Sequence, residues 1–172
     1  MLHITSSDIS RLLPRRERDS HKGNYGKILL LCGSRGYTGA AALAAMGALR
    51  TGAGLVYSAV PESIYAIEAV KLTEPVVMPL ADEQGMVSQK AIPRIREMLP
   101  KMDAVLFGCG SGLGEGPEEV LKLLKQYDVK QCCYGHLHGP SHRLAVRGTA
   151  EGMEFTMVSA DYLSFSPKKI AD

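Results

Sequence analysis

The sequence predicts an α/β fold: a parallel sheet with helices on its faces, followed by a short β-rich tail. Three observations carry this prediction. Short apolar runs alternate four times with longer helix-forming segments between Lys27 and Tyr127, and such alternation implies a parallel sheet. Glycine-rich loops, Gly33–Gly39 and Gly108–Gly114, follow the first and fourth apolar runs. After Tyr127 the helical segments stop, and short strand-like runs follow one another.

Each element has a local reason. Ser6-Ser7-Asp8 offers caps for a first helix, and Pro14 ends it. Lys27–Cys32 contains Ile28, Leu29, Leu30 and Leu31, the pattern of a strand buried on both faces. A helix rich in Ala, Leu and Met opens at Thr38 or Gly39 and runs to about Thr51, where Gly52 and Gly54 end it. Leu55–Val60 reads as the second strand. Pro61-Glu62-Ser63 starts the next helix with proline near its first position. Glu74–Leu80 is a third strand. Ser88–Leu99 is a third helix disturbed by Pro93 in its first turns. Asp103–Phe107 is the fourth strand, and Pro117–Tyr127 the fourth helix. In the tail, Val129–Tyr134, Arg143–Arg147, Glu154–Ser159 and Tyr162–Phe165 read as strands. Crossovers between parallel strands are expected to be right-handed. Ligands then bind beyond the carboxyl ends of the strands, where the glycine loops lie.

Composition narrows the class. A chain of 172 residues fits one domain with a real core. Lys and Arg number 20 against 18 Asp and Glu, with both signs interspersed, which argues against a nucleic-acid partner. Arg15-Arg16-Glu17-Arg18 reads as a solvated loop. No signal peptide or long apolar run is visible. The expectation is therefore no membrane partner, a cytoplasmic location and reduced cysteines at 32, 109, 132 and 133. Cys32 and Cys109 end apolar runs and read as small core hydrophobes. Cys132 and Cys133 lack the Cys-x-x-Cys spacing of a zinc site.

The two glycine loops are the first candidate site. Glycine lets a ligand approach the main chain, and the helix opening near Gly39-Ala40 presents free N–H groups suited to a phosphate. Ala40, Ala41 and Ala42 leave room for a flat ligand. A plain strand-to-helix turn accounts for the same spacing. The loop is neither a Walker loop nor a Gly-x-Gly-x-x-Gly fingerprint. Two loops at equivalent strand ends would line one crevice.

The ordered motifs His21-Lys22-Gly23-Asn24-Tyr25-Gly26-Lys27, Gly33-Ser34, Tyr37-Thr38-Gly39-Ala40-Ala41, Ala48–Val56 and Pro61-Glu62-Ser63 closely resemble the NAD(P)H-hydrate dehydratase family over residues 5–127. The resemblance implies a partial ribokinase-like sheet in residues 1–127. It also implies repair of hydrated NADH or NADPH: ADP or ATP, with Mg, phosphorylates the added hydroxyl, and phosphate is then eliminated. It places the hydrated dinucleotide at Gly39 and Ala40 and at a glycine among Gly108, Gly110 and Gly112. Here Cys109 stands where the family's shorter Gly-Pro-Gly-Leu-Gly loop has proline. The family's catalytic aspartate lies in a Gly-Thr-Gly-Asp motif of its second half. That motif does not occur in this sequence, so no catalytic residue is assigned.

The second candidate site is Gly135-His136-Leu137-His138-Gly139. Imidazoles two residues apart on a turn suit Mn, Fe or Zn, with His142 as a further donor. A catalytic centre needs at least three protein ligands, and two histidines near a turn also serve as structural donors or surface residues. With Val129-Lys130 and Val158–Leu163, the motif resembles the end of a calcineurin-like metallophosphoesterase, in which both histidines bind metal. That resemblance marks 128–172 as a second domain, and the chain as a fusion of two enzyme pieces. A homo-oligomer is the expected assembly, because open sheet faces invite pairing.

Overall fold

The computed structural model describes residues 5–13, 15–127, 129–150 and 152–166. Pro14, expected to stop the first helix, and Asp128, at the expected domain boundary, lie outside the described residues. The chain forms two compact units. One is Glu17–Leu124; the other groups the described residues of 1–16 and 125–172.

The larger unit holds a four-stranded sheet in the order β3-β2-β1-β6, with every pair parallel. Its strands are β1 (Lys27–Leu31), β2 (Leu55–Pro61), β3 (Val76–Leu80) and β6 (Ala104–Phe107). Four consecutive aliphatics in β1 leave Leu29 and Leu30, which point to opposite faces, both fully buried. Helix α2 (Thr38–Arg50) and α3 (Glu62–Lys71) pack on the face that carries Leu30 and Cys32. Ala41 and Ala45 of α2 and Ile64 of α3 meet Val56 and Val60 of β2 there. Small residues on α2 let the helix lie close to the strands. Burial of each large aliphatic contributes about 2 kcal/mol.

Gly54 is required by a close approach. A Cβ at this position would lie 1.7 Å from the Lys22 carbonyl oxygen. The Gly54 N–H donates to the Tyr25 carbonyl at 2.9 Å, and the Leu55 N–H to the Gly26 carbonyl at 3.0 Å. The His21–Lys27 and Arg50–Val56 motifs therefore meet in space. The first is a short 3-10 turn, Lys22–Tyr25, capped reciprocally by His21 and Asn24. Asp103 joins the same end of the sheet, accepting from the Lys27 N–H at 2.8 Å.

One element escapes the sequence reading. Between β3 and the third helix lies a two-stranded hairpin, β4 (Asp82–Glu83) and β5 (Met86–Val87). Its two-residue turn, Gln84-Gly85, has positive φ at both positions, as a type I′ turn demands. The expected helix 88–99 is a 3-10 turn (Gln89–Ala91) leading into α4 (Ile92–Met98), with proline in the first turn of α4, where its missing N–H costs nothing. The fourth predicted helix is α5 (Glu115–Lys125), which starts two residues before the expected Pro117.

The smaller unit contains α1 (Ser6–Leu12). Its cap is Thr5 rather than Ser6: the Thr5 hydroxyl accepts from the Asp8 N–H, and the Asp8 carboxylate accepts from the Thr5 N–H. The tail forms a sheet in the order β7-β9-β8, from β7 (Gln131–Tyr134), β8 (Gly148–Ala150) and β9 (Met153–Met157). Strand β7 pairs parallel with β9, and β8 antiparallel. Two expected strands are corrected. The expected strand 143–147 begins inside the 3-10 turn Gly139–Leu144, and 162–165 is a turn with left-handed backbone at Ser164 and Phe165. Both segments carry β-prone residues, but neither has a strand beside it to complete a ladder.

Candidate functional site

In the larger unit the chain winds from β1 outward to β3, then returns to place β6 on the other side of β1. The boundary between β1 and β6 is the topological switch point, where open parallel sheets form their ligand crevice. Both glycine loops leave the sheet there.

The loops are joined to each other by hydrogen bonds. The Gly33 N–H donates to the Cys109 carbonyl at 2.8 Å. The Ser34 hydroxyl donates to the Gly110 carbonyl at 2.7 Å, and the Ser111 hydroxyl to the Leu31 carbonyl at 3.1 Å. Ser34 and Ser111 are both buried; Ser34 spends its hydroxyl on the partner loop and Ser111 on the end of β1. Gly110 has φ +70°, and a Cβ there would lie 2.7 Å from the Cβ of Ala40. Gly110 and Ala40 are thus in close packing across the crevice.

Of the sequence-predicted residues, Gly39 and Ala40 fall in the first turn of α2, whose N-terminus receives no side-chain cap from Tyr37. The Lys71 ammonium donates to the Thr38 hydroxyl at 2.7 Å, which adds a cation to this helix start. Gly108 and Gly112 are exposed on the opposite loop. The structure brings Ala40 and Gly110 together and leaves Gly39, Gly108 and Gly112 exposed.

The hairpin forms a further wall. The Arg35 N–H donates to the Gly85 carbonyl at 2.8 Å. The thioether of Met86 packs against Gly112. A cleft of about 460 Å³ lies beside it, lined by Glu83, Met86, Lys90, Leu113 and Glu115 among others. It shares the end of the second glycine loop but none of the predicted site residues. Ser34, Ser111 and Met86 were missed by sequence reasoning. A buried serine next to a glycine at a strand end is a usable signal, since its hydroxyl must bond nearby backbone.

The tail histidines form a different arrangement. Asp161 is the hub: His138 Nδ1 lies 3.0 Å from its Oδ1, and His142 Nε2 3.3 Å from its Oδ2. The Gly139 N–H donates to Asp161 Oδ2 at 3.1 Å. That N–H foremost, with both histidines adding to it, holds the Asp161 carboxyl down at about 2. His136 sits on left-handed backbone, its ring centroid 5.8 Å from that of His138. Among the described residues no group of three or more His, Cys, Asp or Glu is placed to hold a metal. The expected Mn, Fe or Zn centre at His136 and His138 has no such group to complete it, and Asp161 accounts for the His138 contact.

A parallel sheet with helices packed on it and glycine loops at its switch point places the chain among α/β folds, and its solved neighbours are ribokinase-like. The fold matches a ribokinase-like superfamily protein from Enterococcus faecalis V583 (TM-score 0.59, 19% identity, 76% of this chain and 53% of that chain). It also matches the ADP/ATP-dependent NAD(P)H-hydrate dehydratase from Bacillus subtilis, co-crystallized with ATP/Mg2+ (TM-score 0.63, 22% identity, 94% of this chain and 55% of that chain). The family model for NAD(P)H-hydrate dehydratase matches residues 28–133, and the chain belongs to that family. Among relatives, it is 44% identical over 122 residues to the bifunctional NAD(P)H-hydrate repair enzyme Nnr of Moorella thermoacetica, a match covering 70% of this chain. The chain spans about a quarter of that relative, 23% of its length, and just over half of each of the two structures.

Proposed function

We propose that this chain carries the hydrated-dinucleotide side of an ADP- or ATP-dependent NAD(P)H-hydrate dehydratase, acting in nicotinamide nucleotide repair in the cytoplasm. The observation that supports it is the joining of the two glycine loops at the switch point by the Gly33 N–H and the Ser34 hydroxyl. Hydrated NADH or NADPH lies against Gly39 and Ala40 on one wall and Gly108, Gly110 and Gly112 on the other. The start of α2 attracts a phosphate of the dinucleotide through the positive end of the helix, and Lys71 adds charge nearby. The work of these residues is to bind and orient the hydrated ring.

The nucleotide and its Mg are a separate matter. In such a site they supply the phosphoryl group that turns the added hydroxyl into a leaving group. Among the described residues no acidic or histidine group fits a metal, so no residue is assigned to either and no step is routed through them. In this reading residues 1–127 are the dehydratase-like part and 128–172 a β tail.

The test is thermal unfolding of the chain with and without hydrated NADPH. A ligand that binds only the folded state stabilises it by mass action, by about 2.7 kcal/mol at one hundred times Kd, and so raises the midpoint. Hydrated NADPH is expected to raise the midpoint more than NADPH itself. Equal midpoints with and without it would overturn the proposal.

A further inference from the structure

Both loops of the crevice begin with a cysteine near the sheet. Cys32 is the first residue after β1, and Cys109 the second after β6. The parallel register sets Leu31 opposite Phe107, which brings Cys32 level with Gly108, one residue short of Cys109. The backbones are tied on both sides of this point. The Gly108 N–H donates to the Leu31 carbonyl at 3.3 Å, and the Gly33 N–H to the Cys109 carbonyl at 2.8 Å. Cys32 is 2% exposed, with its thiol 3.6 Å from the Leu106 carbonyl on β6, whereas Cys109 is exposed. The register and the Gly33–Cys109 hydrogen bond thus set Cys32 and Cys109 side by side across the β1–β6 boundary.

We propose that Cys32 and Cys109 form a reversible disulfide across the roots of the two glycine loops when the chain meets a peroxide. Cys109 is the accessible thiol and reacts first. A sulfur–oxygen bond forms, the peroxide O–O bond breaks, and water leaves, giving the sulfenic acid. The Cys32 sulfur then attacks the Cys109 sulfur. The S–S bond forms, the S–O bond breaks, and the Cys32 proton leaves with the hydroxyl as a second water. The two thiols together lose two electrons, which the peroxide takes. Burial foremost, and then Cys109, pushes the Cys32 thiol up to about 12, so Cys32 is not the thiol that peroxide attacks, and it gives up its proton only as it attacks the Cys109 sulfur. The bond would tether the strand ends that frame the crevice.

The experiment uses the folded, reduced full chain and stoichiometric hydrogen peroxide. Free thiols are then alkylated, and intact mass and a peptide map are read. The expected result is a single chain lighter by two hydrogens, with the Cys32 and Cys109 peptides linked, and reversal by dithiothreitol. C109S should form no intramolecular link to Cys32. The proposal is overturned if Cys109 in the wild type goes on to sulfinic acid, pairs with Cys132 or Cys133, or links two chains while Cys32 stays a thiol. The wild-type map decides the matter even if a Cys32 variant folds poorly. It uses no dinucleotide, so it stands or falls apart from the proposed function.

Discussion

Ser34 and Gly110 are 76 residues apart in sequence and share one hydrogen bond, 2.7 Å long, from the serine hydroxyl to the glycine carbonyl. Ser34 is 2% exposed, so no bulk water replaces the lost partner easily. Ser34→Ala is expected to cost about 1 kcal/mol, the usual net worth of such a bond. It should lower the urea midpoint without changing the slope. It should also weaken hydrated NADPH binding, since the second loop is no longer held against the first. An unchanged midpoint would show that Gly110 is held by other contacts.

Gly110 and Gly39 separate packing from ligand contact. Gly110→Ala puts a methyl 2.7 Å from the Ala40 Cβ on left-handed backbone, and should cost about 2 kcal/mol from backbone strain, with the overlap adding to it. Gly39 has open space around the same position and lies in a helix. Gly39→Ala should leave stability unchanged or raise it by up to about 1 kcal/mol. If Gly39 lines the dinucleotide site, that variant still loses affinity for hydrated NADPH. Wild-type affinity in Gly39→Ala, measured by calorimetric titration, removes Gly39 from the site.

Glu68 gives the larger unit a pH signature. Its side chain is wholly buried; one oxygen meets Lys71 at 3.4 Å, and the other has no hydrogen-bond partner among the described residues. Burial pushes its carboxyl up, and Lys71 offsets this in part. The folded state therefore favours the protonated form. That contribution is present below the unfolded value of about 4.3 and is lost as pH rises through the elevated folded value. Glu68→Gln should flatten the fall in unfolding midpoint between those two values. Parallel curves for the two proteins would show that Glu68 titrates as in the unfolded chain.

Asp161 acts in the opposite sense. Its carboxyl is held at about 2, first by the Gly139 N–H and then by the two histidines. Its stabilising effect is present above the unfolded value of about 3.9 and is lost as pH falls toward 2. Asp161→Asn should remove that acid-side dependence and free the His138 and His142 rings. Proton resonances of the two rings, followed from pH 5 to 2, check this. Unaltered ring shifts in the variant would mean Asp161 does not hold them.

The parts of the fold visible in sequence are those fixed by local patterns. Leu29 and Leu30 announce a doubly buried strand, and the Ala-rich run 40–48 announces α2. Both glycine loops are likewise legible, and their meeting follows from their placement at neighbouring strand ends. The hairpin is not, because Gln84-Gly85 joins strands of only two residues and lacks the Asn-Gly signal. Its strands hold their place through Arg35 and Gly112, which no local pattern reveals. The tail misled for a related reason. Arg143–Arg147 and Tyr162–Phe165 have strand-like composition, but ladder pairing decides, and β9 gives its two edges to β7 and β8.

The sheet order also sets a timetable for synthesis. Strands β1, β2 and β3 pair with neighbours as they leave the ribosome, because each contact closes a short stretch of chain. The second edge of β1 must wait for β6, which emerges more than seventy residues later. Until then Gly33 and Ser34 have no partner loop. The joined pair of loops is thus a late product of translation, and a ribosome stalled before residue 111 would carry a helix-covered sheet whose first loop has nothing to bond to.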